Sequence, residues 1–424
     1  MKKNLNDVKQ IIKDNFDSIK EDLNSICHCE HLPIYSSVDI RMNSFKTAVV
    51  DTNLFPAGFN NLCNYSQQDI AKILSQTIKK TVKNCRKILI LAENHTRNKF
   101  YLENLNSLKT FLIEAGFLVD IAALFSPEIR STLTNGFLSL TTSNENEINI
   151  YSFEWLKNQH HLFDYDFVLL NNDLINGVPE VLKKLEIPTF PSYLAGWHTR
   201  NKSHHFKEVD RIMGLISTKY NIDPFFISTS FVELNNLDIN TQTDRAHIYE
   251  QAKQLFSHLE SKYKLYGIDQ KPFLFLKANR GTYGMGVTSI ESPEEILDFN
   301  RKKRNNLSKG KESKIIDSYM LQEGISSNLI INNQVAELCV YHSSDIYLGG
   351  FYRLNSAKNN RSNLNSQGMS FQKMDLSLKT KKGSIYTDNN EASIVNDLIF
   401  YKFLSLVCVH AAQKEINQLE LIHS

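Results

Sequence analysis

The segment Phe273 to Ile290, FLFLKANRGTYGMGVTSI, ends an apolar run in Lys277 and follows it with Gly281, Gly284 and Gly286. Glycines at this spacing let backbone N–H groups approach an anion with no Cβ in the way, and a lysine at a strand end can reach the same anion. The chemistry this suits is phosphate binding, with Thr282 and Tyr283 inside the same turn. The G-K-[ST] ending of a Walker loop is missing, and a strand rather than a helix should follow. That excludes the P-loop and dinucleotide fingerprints in their usual form. A plain glycine-rich hairpin has the same spacing.

Three later features strengthen the phosphate reading. SYMLQEGI reads as a strand ending in Gln322 and Glu323, which could present polar groups to an adenine edge and a ribose; a strand with a polar end looks the same. Glu337 lies between apolar neighbours in VAELCVY, where an acid is costly unless paired or bound to a metal, or else faces solvent. Arg353, Arg361, Asn363 and Asn365 follow in FYRLNSAKNNRSNLNSQG. Guanidinium groups suit phosphate and asparagine oxygens suit Mg²⁺, against the alternative of a solvated loop.

In the first half, Glu93, His95, Thr96 and Arg97 directly follow the apolar run KILILA, and Asn171, Asn172 and Asp173 end DFVLLNND. In open α/β sheets ligands gather outside the carboxyl ends of strands. Arg97 suits an amino-acid carboxylate and Glu93 an ammonium. Asp51, Asn53 and Asn60 lie in the turn-rich DTNLFPAGFNN. Helix capping and turn formation explain each of these residues equally well.

The elements that would position these groups follow from periodicity. Residues 4–24, 66–84 and 98–115 read as helices, with Ile70, Ile73, Leu74 and Ile78 on one face of the second. KILILAE, FLVDIAAL and DFVLLNND read as strands buried on both faces, and residues 178–185 as a short helix. This alternation predicts a mainly parallel sheet covered by helices. Two prolines and a glycine interrupt the pattern near 187–197. Beyond it, 203–219 and 243–264 read as helices, a β-rich stretch follows, 355–390 contains a long polar loop, and the chain from about 391 reads as one helix.

At 424 residues the chain has room for two or three domains. A net charge of +2 gives no reason to expect a nucleic-acid partner. The N-terminus lacks the apolar core of a secretory signal and no apolar run is long enough to span a membrane, so a cytoplasmic protein is expected. The six scattered cysteines fit reduced thiols. CHCEH (27–31) packs its ligands too closely to converge on one ion, and the basic run Arg301 to Lys314 reads as a solvated face.

Lysine, glycine loop, polar strand end, then arginine and asparagine, in that order, resemble the ATP-grasp superfamily. That resemblance implies ATP held between two α+β subdomains, with Lys202, ahead of a helix and an I-x-P turn (Ile222–Pro224), as a first ATP lysine and Lys277 as a second. DTNLFPAGFNNL, ENHTRNKFYLENL, LLNNDL, GWHTRNKSHHF, KANRGTYGMG, GGFYRLN and NLNSQGM together resemble the ATP-grasp glutamate–cysteine ligases of bacteria, from about residue 39 to 370. The implied fold is a Rossmann-like α/β domain (1–195) followed by an ATP-grasp domain (196–424) of two α+β subdomains, 196–270 and 271–424. The implied cofactors are ATP and Mg²⁺, with Mn²⁺ as an alternative, and the implied substrates are glutamate and cysteine. In that scheme Lys277, Arg353 and Arg361 are catalytic, Lys202, Gln322, Glu323 and the glycine loop bind nucleotide, and Glu337, Asn363 and Asn365 hold metal. Homo-oligomerisation stays open, as do a glutathione-synthetase-like ligase and an inert nucleotide-binding protein. Asn279 departs from the family, which carries an acid there. Glu415-Ile416-Asn417 matches the E-x-N metal signature but in a helical stretch, so we read that match as accidental.

Overall fold

The computed structural model describes residues 4–62, 67–159, 161–281, 286–310, 315–376 and 391–423. It is a mixed α/β and α+β fold built on three sheets.

The first sheet runs Phe137–Thr141, Glu147–Ser152, Leu118–Ala123, Lys87–Ala92, Phe167–Asn171, Thr189–Phe190 in space. It is parallel except at its first strand. The central strands are buried on both faces, as their unbroken apolar runs require. Helices Gln67–Thr81 and Lys99–Glu114 cover one face through Ile70, Leu74, Leu105 and Leu112.

The second sheet is antiparallel: Val287–Ile290, Leu274–Ala278, Tyr319–Glu323, Phe231–Leu234. Helix Gln242–Tyr266 packs on it through Ile248, Leu255 and Leu259.

The third sheet decides the architecture. Its path is Met369–Lys373, Ile346–Asn355, Gln334–Ser343, Ser36–Met42, Thr47–Asn53, so a hairpin from the start of the chain pairs with strands near its end. One face carries Val38, Ile40, Leu338, Val340, Tyr352 and Leu354, and four helices cover it: Leu5–Asp14, Phe16–Cys27, Lys202–Tyr220 and Leu398–His423. The expected division at residue 195 therefore differs from the packing. Residues 5–53 belong with the C-terminal half, because their apolar face is buried against its helices. The expected helix over 4–24 is two helices broken at Asn15, whose side chain caps the Ile11 carbonyl at 2.8 Å. The expected terminal helix is likewise broken at Asp397, which pairs with Lys9 and Lys13.

Candidate active site

The other face of the third sheet is lined with charge. Alternation along Ser36–Met42 puts Asp39 and Arg41 opposite to Val38 and Ile40, and the neighbouring strands add Glu337, Arg353 and Asp51. This face looks across at Phe275, Lys277 and Val287 of the second sheet. Between them lies a solvent-open cleft of about 600 Å³, also bordered by Lys202, Gly281, Asn363 and Asn365.

Each charged group has a partner. Arg353 donates through Nη1 to Asp39 Oδ2 at 2.8 Å and also to Glu337. Arg41 Nε donates to Glu337 Oε2 at 2.8 Å. Lys202 Nζ meets Asp51 Oδ1 at 2.6 Å and stands 4.4 Å over the Trp197 ring. Lys277 Nζ bridges the two sheets, donating to Val50 O at 2.9 Å and Gln322 Oε1 at 2.6 Å.

The electrostatics separate the three carboxylates. Burial works against all three. For Glu337 the flanking Arg41 and Arg353 more than offset it and the pKa falls; for Asp51, Lys202 and Lys277 do the same. Asp39 instead stays raised, because burial and the nearby Glu337 and Asp51 charges outweigh Arg353. Burial lowers Lys277 to about 8, with Asp51 opposing and Lys202 adding to the drop.

Local structure explains the cations' placement. Lys202 opens its helix, and the first turn is capped from another sheet: Asn279 O accepts from Lys202 N at 2.8 Å, and Asn279 Oδ1 from Ser203 N at 2.9 Å. Asn279, the departure from the family pattern, thus ties the Lys277 strand to the Lys202 helix. Gly281 holds φ +122°, open to glycine and costly for other residues, and borders the cleft. Gly286 has φ +65° and packs against Ala278 and Ile316. Thr282, Tyr283 and Gly284 lie outside the described residues.

Several expected residues stand elsewhere. Glu323 is buried in an ion pair with Lys46 at 2.6 Å and accepts from Ser230 N, so its carboxylate faces no ribose. Gln322 is also buried and holds Lys277 and Thr229. Arg361 stacks on Phe273, pairs with Glu291 and donates to Lys271 O at 2.9 Å, outside the cleft lining.

The groups at the ends of the parallel strands form a junction instead of a pocket. Glu93 Oε1 accepts from Asp173 N, Asn171 Nδ2 donates to Pro56 O, and Asn172 Nδ2 to Ala92 O. His95 packs edge-on against Tyr101, Thr96 is half-buried and Arg97 is exposed; none of them lines the cleft. Asn60 borders a separate groove with Glu103 and Lys373. Asn53 lies in a second cavity beside the cleft, where its Oδ1 also turns the chain by accepting from Phe55 N.

Sequence reasoning missed Asp39, Arg41 and Arg200. The signal for the first two was present: V-D-I-R-M places two charges on one face of an apolar strand, the argument already applied to Glu337. Arg200 is buried against Glu415 at 2.9 Å and donates to Thr52 O at 3.1 Å, next to Asp51. Glu415 sits on helix Leu398–His423 and pairs with Arg200 and His205, while Asn417 accepts from Gln413.

Comparison with known proteins agrees with this architecture. No curated protein gave a match. Among solved structures, a protein from Methylobacillus flagellatus KT, provisionally named gamma-glutamylcysteine synthetase, superposes with TM-score 0.82 at 29% identity, covering 97% of this chain and 95% of its own. The D-alanyl-alanine synthetase A of Vibrio cholerae (15% identity, TM-score 0.29, 60% of this chain and 67% of its own) is too distant to bear on the site. So is a glutathione synthetase-like effector of Globodera pallida (11%, 0.35, 81% and 80%). The family profile GshA, glutamate-cysteine ligase, matches residues 9–416. The chain is therefore a ligase belonging to the glutamate–cysteine ligase family.

Proposed function

We propose that the cleft joins the γ-carboxylate of L-glutamate to the amine of L-cysteine at the expense of ATP, through an acyl phosphate. The products are γ-glutamylcysteine, ADP and phosphate, the first step toward glutathione. One observation carries this reading: four cations and three carboxylates, from two facing sheets and from the start of helix Lys202–Tyr220, converge on a single open cleft.

A carboxylate does not acylate an amine at neutral pH because oxide is a poor leaving group, and phosphorylation supplies a better one. The chain must then neutralise phosphate charge, hold donor and acceptor together, and exclude water. Lys202, Lys277, Arg41 and Arg353 supply fixed positive charge where negative charge gathers. Holding the two reactants in place contributes on the order of 7–11 kcal/mol at best. The attacking amine is an ammonium at neutral pH and must lose a proton. Asp39, whose pKa is raised, is suited to accept it.

Glu337, Asn363 and Asn365 would hold the metal. Among the described residues no three His, Cys, Asp or Glu side chains form a cage. Mg²⁺ is usually bound by one or two carboxylates together with phosphate oxygens, so this all-oxygen set fits, and Mn²⁺ accepts the same donors. The ion would offset charge on the transferred phosphoryl group.

We place the activity in the cytoplasm, acting on small molecules. The described cysteines are free, and no helix among the described residues is long and apolar enough to cross a membrane.

The test is ADP release from ATP, Mg²⁺ and glutamate as the acceptor is varied. Release dependent on cysteine supports the reading. Turnover only with a γ-glutamyl dipeptide donor indicates a glutathione-synthetase-like ligase, and ATP binding without turnover an inert clamp; either result sinks it.

A further inference from the structure

The second cavity adjoins the cleft and shares Asp39, Asp51, Arg353 and Asn365 with it. The strand register arranges the shared floor of the cleft and this cavity in rows. Glu337 faces Arg353 in the first row. Phe351, Cys339, Asp39 and Asp51 follow one another across the second. Tyr341, Ser37 and Asn53 form the third. Each row lies two residues, about 7 Å, further along the strands. Charge therefore ends at the second row, and the far end of the cavity is lined by neutral groups. Tyr341 closes that end by donating to Ala57 O at 2.7 Å. The Ala57–Gly58 turn packs so tightly there that a Cβ on Gly58 would come within 3.1 Å of the Phe351 ring.

This gradient distinguishes the two amino acids of the ligation. The donor, glutamate, is charged at both ends. With its γ-carboxylate at the phosphates, its α-ammonium and α-carboxylate would enter a region with no charged partner, where an unpaired charge is costly. The acceptor has all its charge at one end and a short neutral side chain at the other. We infer that the second cavity is the acceptor pocket: Asp39 and Asp51 take the amine, Arg353 the carboxylate, and Cys339, Tyr341 and Ser37 the side chain. This rests on the ligase reading. The ammonium gives one proton to Asp39, and the free amine so formed attacks the γ-carbonyl carbon. The C–O bond to phosphate breaks with its electron pair, and the second amine proton leaves with the phosphate.

The experiment uses Ser37→Leu, which fills the far end, and Cys339→Leu, which narrows the row next to it. Two readouts are taken: KM for each substrate, and glutamate-dependent positional isotope exchange within ATP, which needs no acceptor. The expected result is a KM for cysteine raised at least about ten-fold, the scale of a misfit of one or two methylenes, with KM for glutamate and the isotope exchange unchanged. A raised KM for glutamate, or lost exchange with cysteine KM intact, overturns the assignment. Should both variants fail to fold, an acceptor series on the unmodified protein decides. Aspartate, lysine or leucine used as well as cysteine would refute the pocket; their exclusion, with alanine or serine still accepted, supports it. If the unmodified protein shows neither exchange nor turnover, the ligase reading itself has failed and the pocket assignment falls with it.

Discussion

Replacing Lys277 by methionine should cut turnover sharply without weakening the fold. The Lys277 side chain is only 8% exposed, and burial lowers its pKa to about 8 from 10.5. A drop of this size corresponds to about 3 kcal/mol acting against the charged form at neutral pH. Methionine has a similar length and no charge, so Lys277→Met removes that cost. It also leaves two acceptors without their donor; Val50 borders the open cleft, where water can replace the lysine, so the cost is mainly that of the buried Gln322 Oε1, about 1–3 kcal/mol. The variant should therefore equal the unmodified protein in stability or exceed it by up to about 2 kcal/mol at pH 7. Its kcat/KM should fall by a factor on the order of 10²–10³, the scale for losing one charge-stabilising donor. The pH dependence fixes the cause. Between pH 8 and 10.5 the unfolded chain keeps a proton on Lys277 that the folded chain has released, so this lysine makes stability rise with pH across that window. The variant lacks that rise, so its advantage is full below pH 8 and gone near 10.5. Urea unfolding at pH 7 and pH 10, read as the difference between the two proteins, measures it. A variant more than about 2 kcal/mol less stable at pH 7, or one with ordinary turnover, would refute the reasoning.

The same lysine predicts that kcat/KM for ATP declines as pH rises through about 8, where the free protein loses that charge; a flat profile to pH 9.5 would contradict it. Arg353→Gln leaves Asp39 and Glu337 buried with one cation fewer and should cost about 3–5 kcal/mol by urea unfolding, along with turnover. Glu415→Gln strips Arg200 of its buried counter-ion and should destabilise by a similar amount, about 3 kcal/mol, while raising KM for ATP through the Arg200–Thr52 contact beside Asp51. Chelation should stop turnover and added Mg²⁺ restore it, so activity that survives exhaustive chelation removes the metal from the reaction.

Much of the local structure was legible. KILILA reads as a strand buried on both faces because its apolar run is unbroken, and helix Lys202–Tyr220 follows its periodicity closely. Lys277, Glu337, Arg353, Asn363 and Asn365 stand out by residue type and context and Lys202 by the family resemblance, and the fold brings all six to one cleft. Glu323 and Arg361 were equally plausible by type. What separates them is their partners, Lys46 and Glu291, which lie far away in sequence.

Sequence alone determined the periodicities, hence which residues share a strand face, and the supply of phosphate-binding and carboxylate groups. Tertiary structure decided which faces meet. Arg41 and Glu337 bond to each other across 296 positions, and Asp39 stands opposite Cys339 only because the first hairpin pairs with a late strand. Alternation along a strand says which side chains point together but nothing about which strand lies alongside. That choice is made by burying the apolar face of residues 5–53 against helices from the other end of the chain, an energy that appears only once the whole core is assembled.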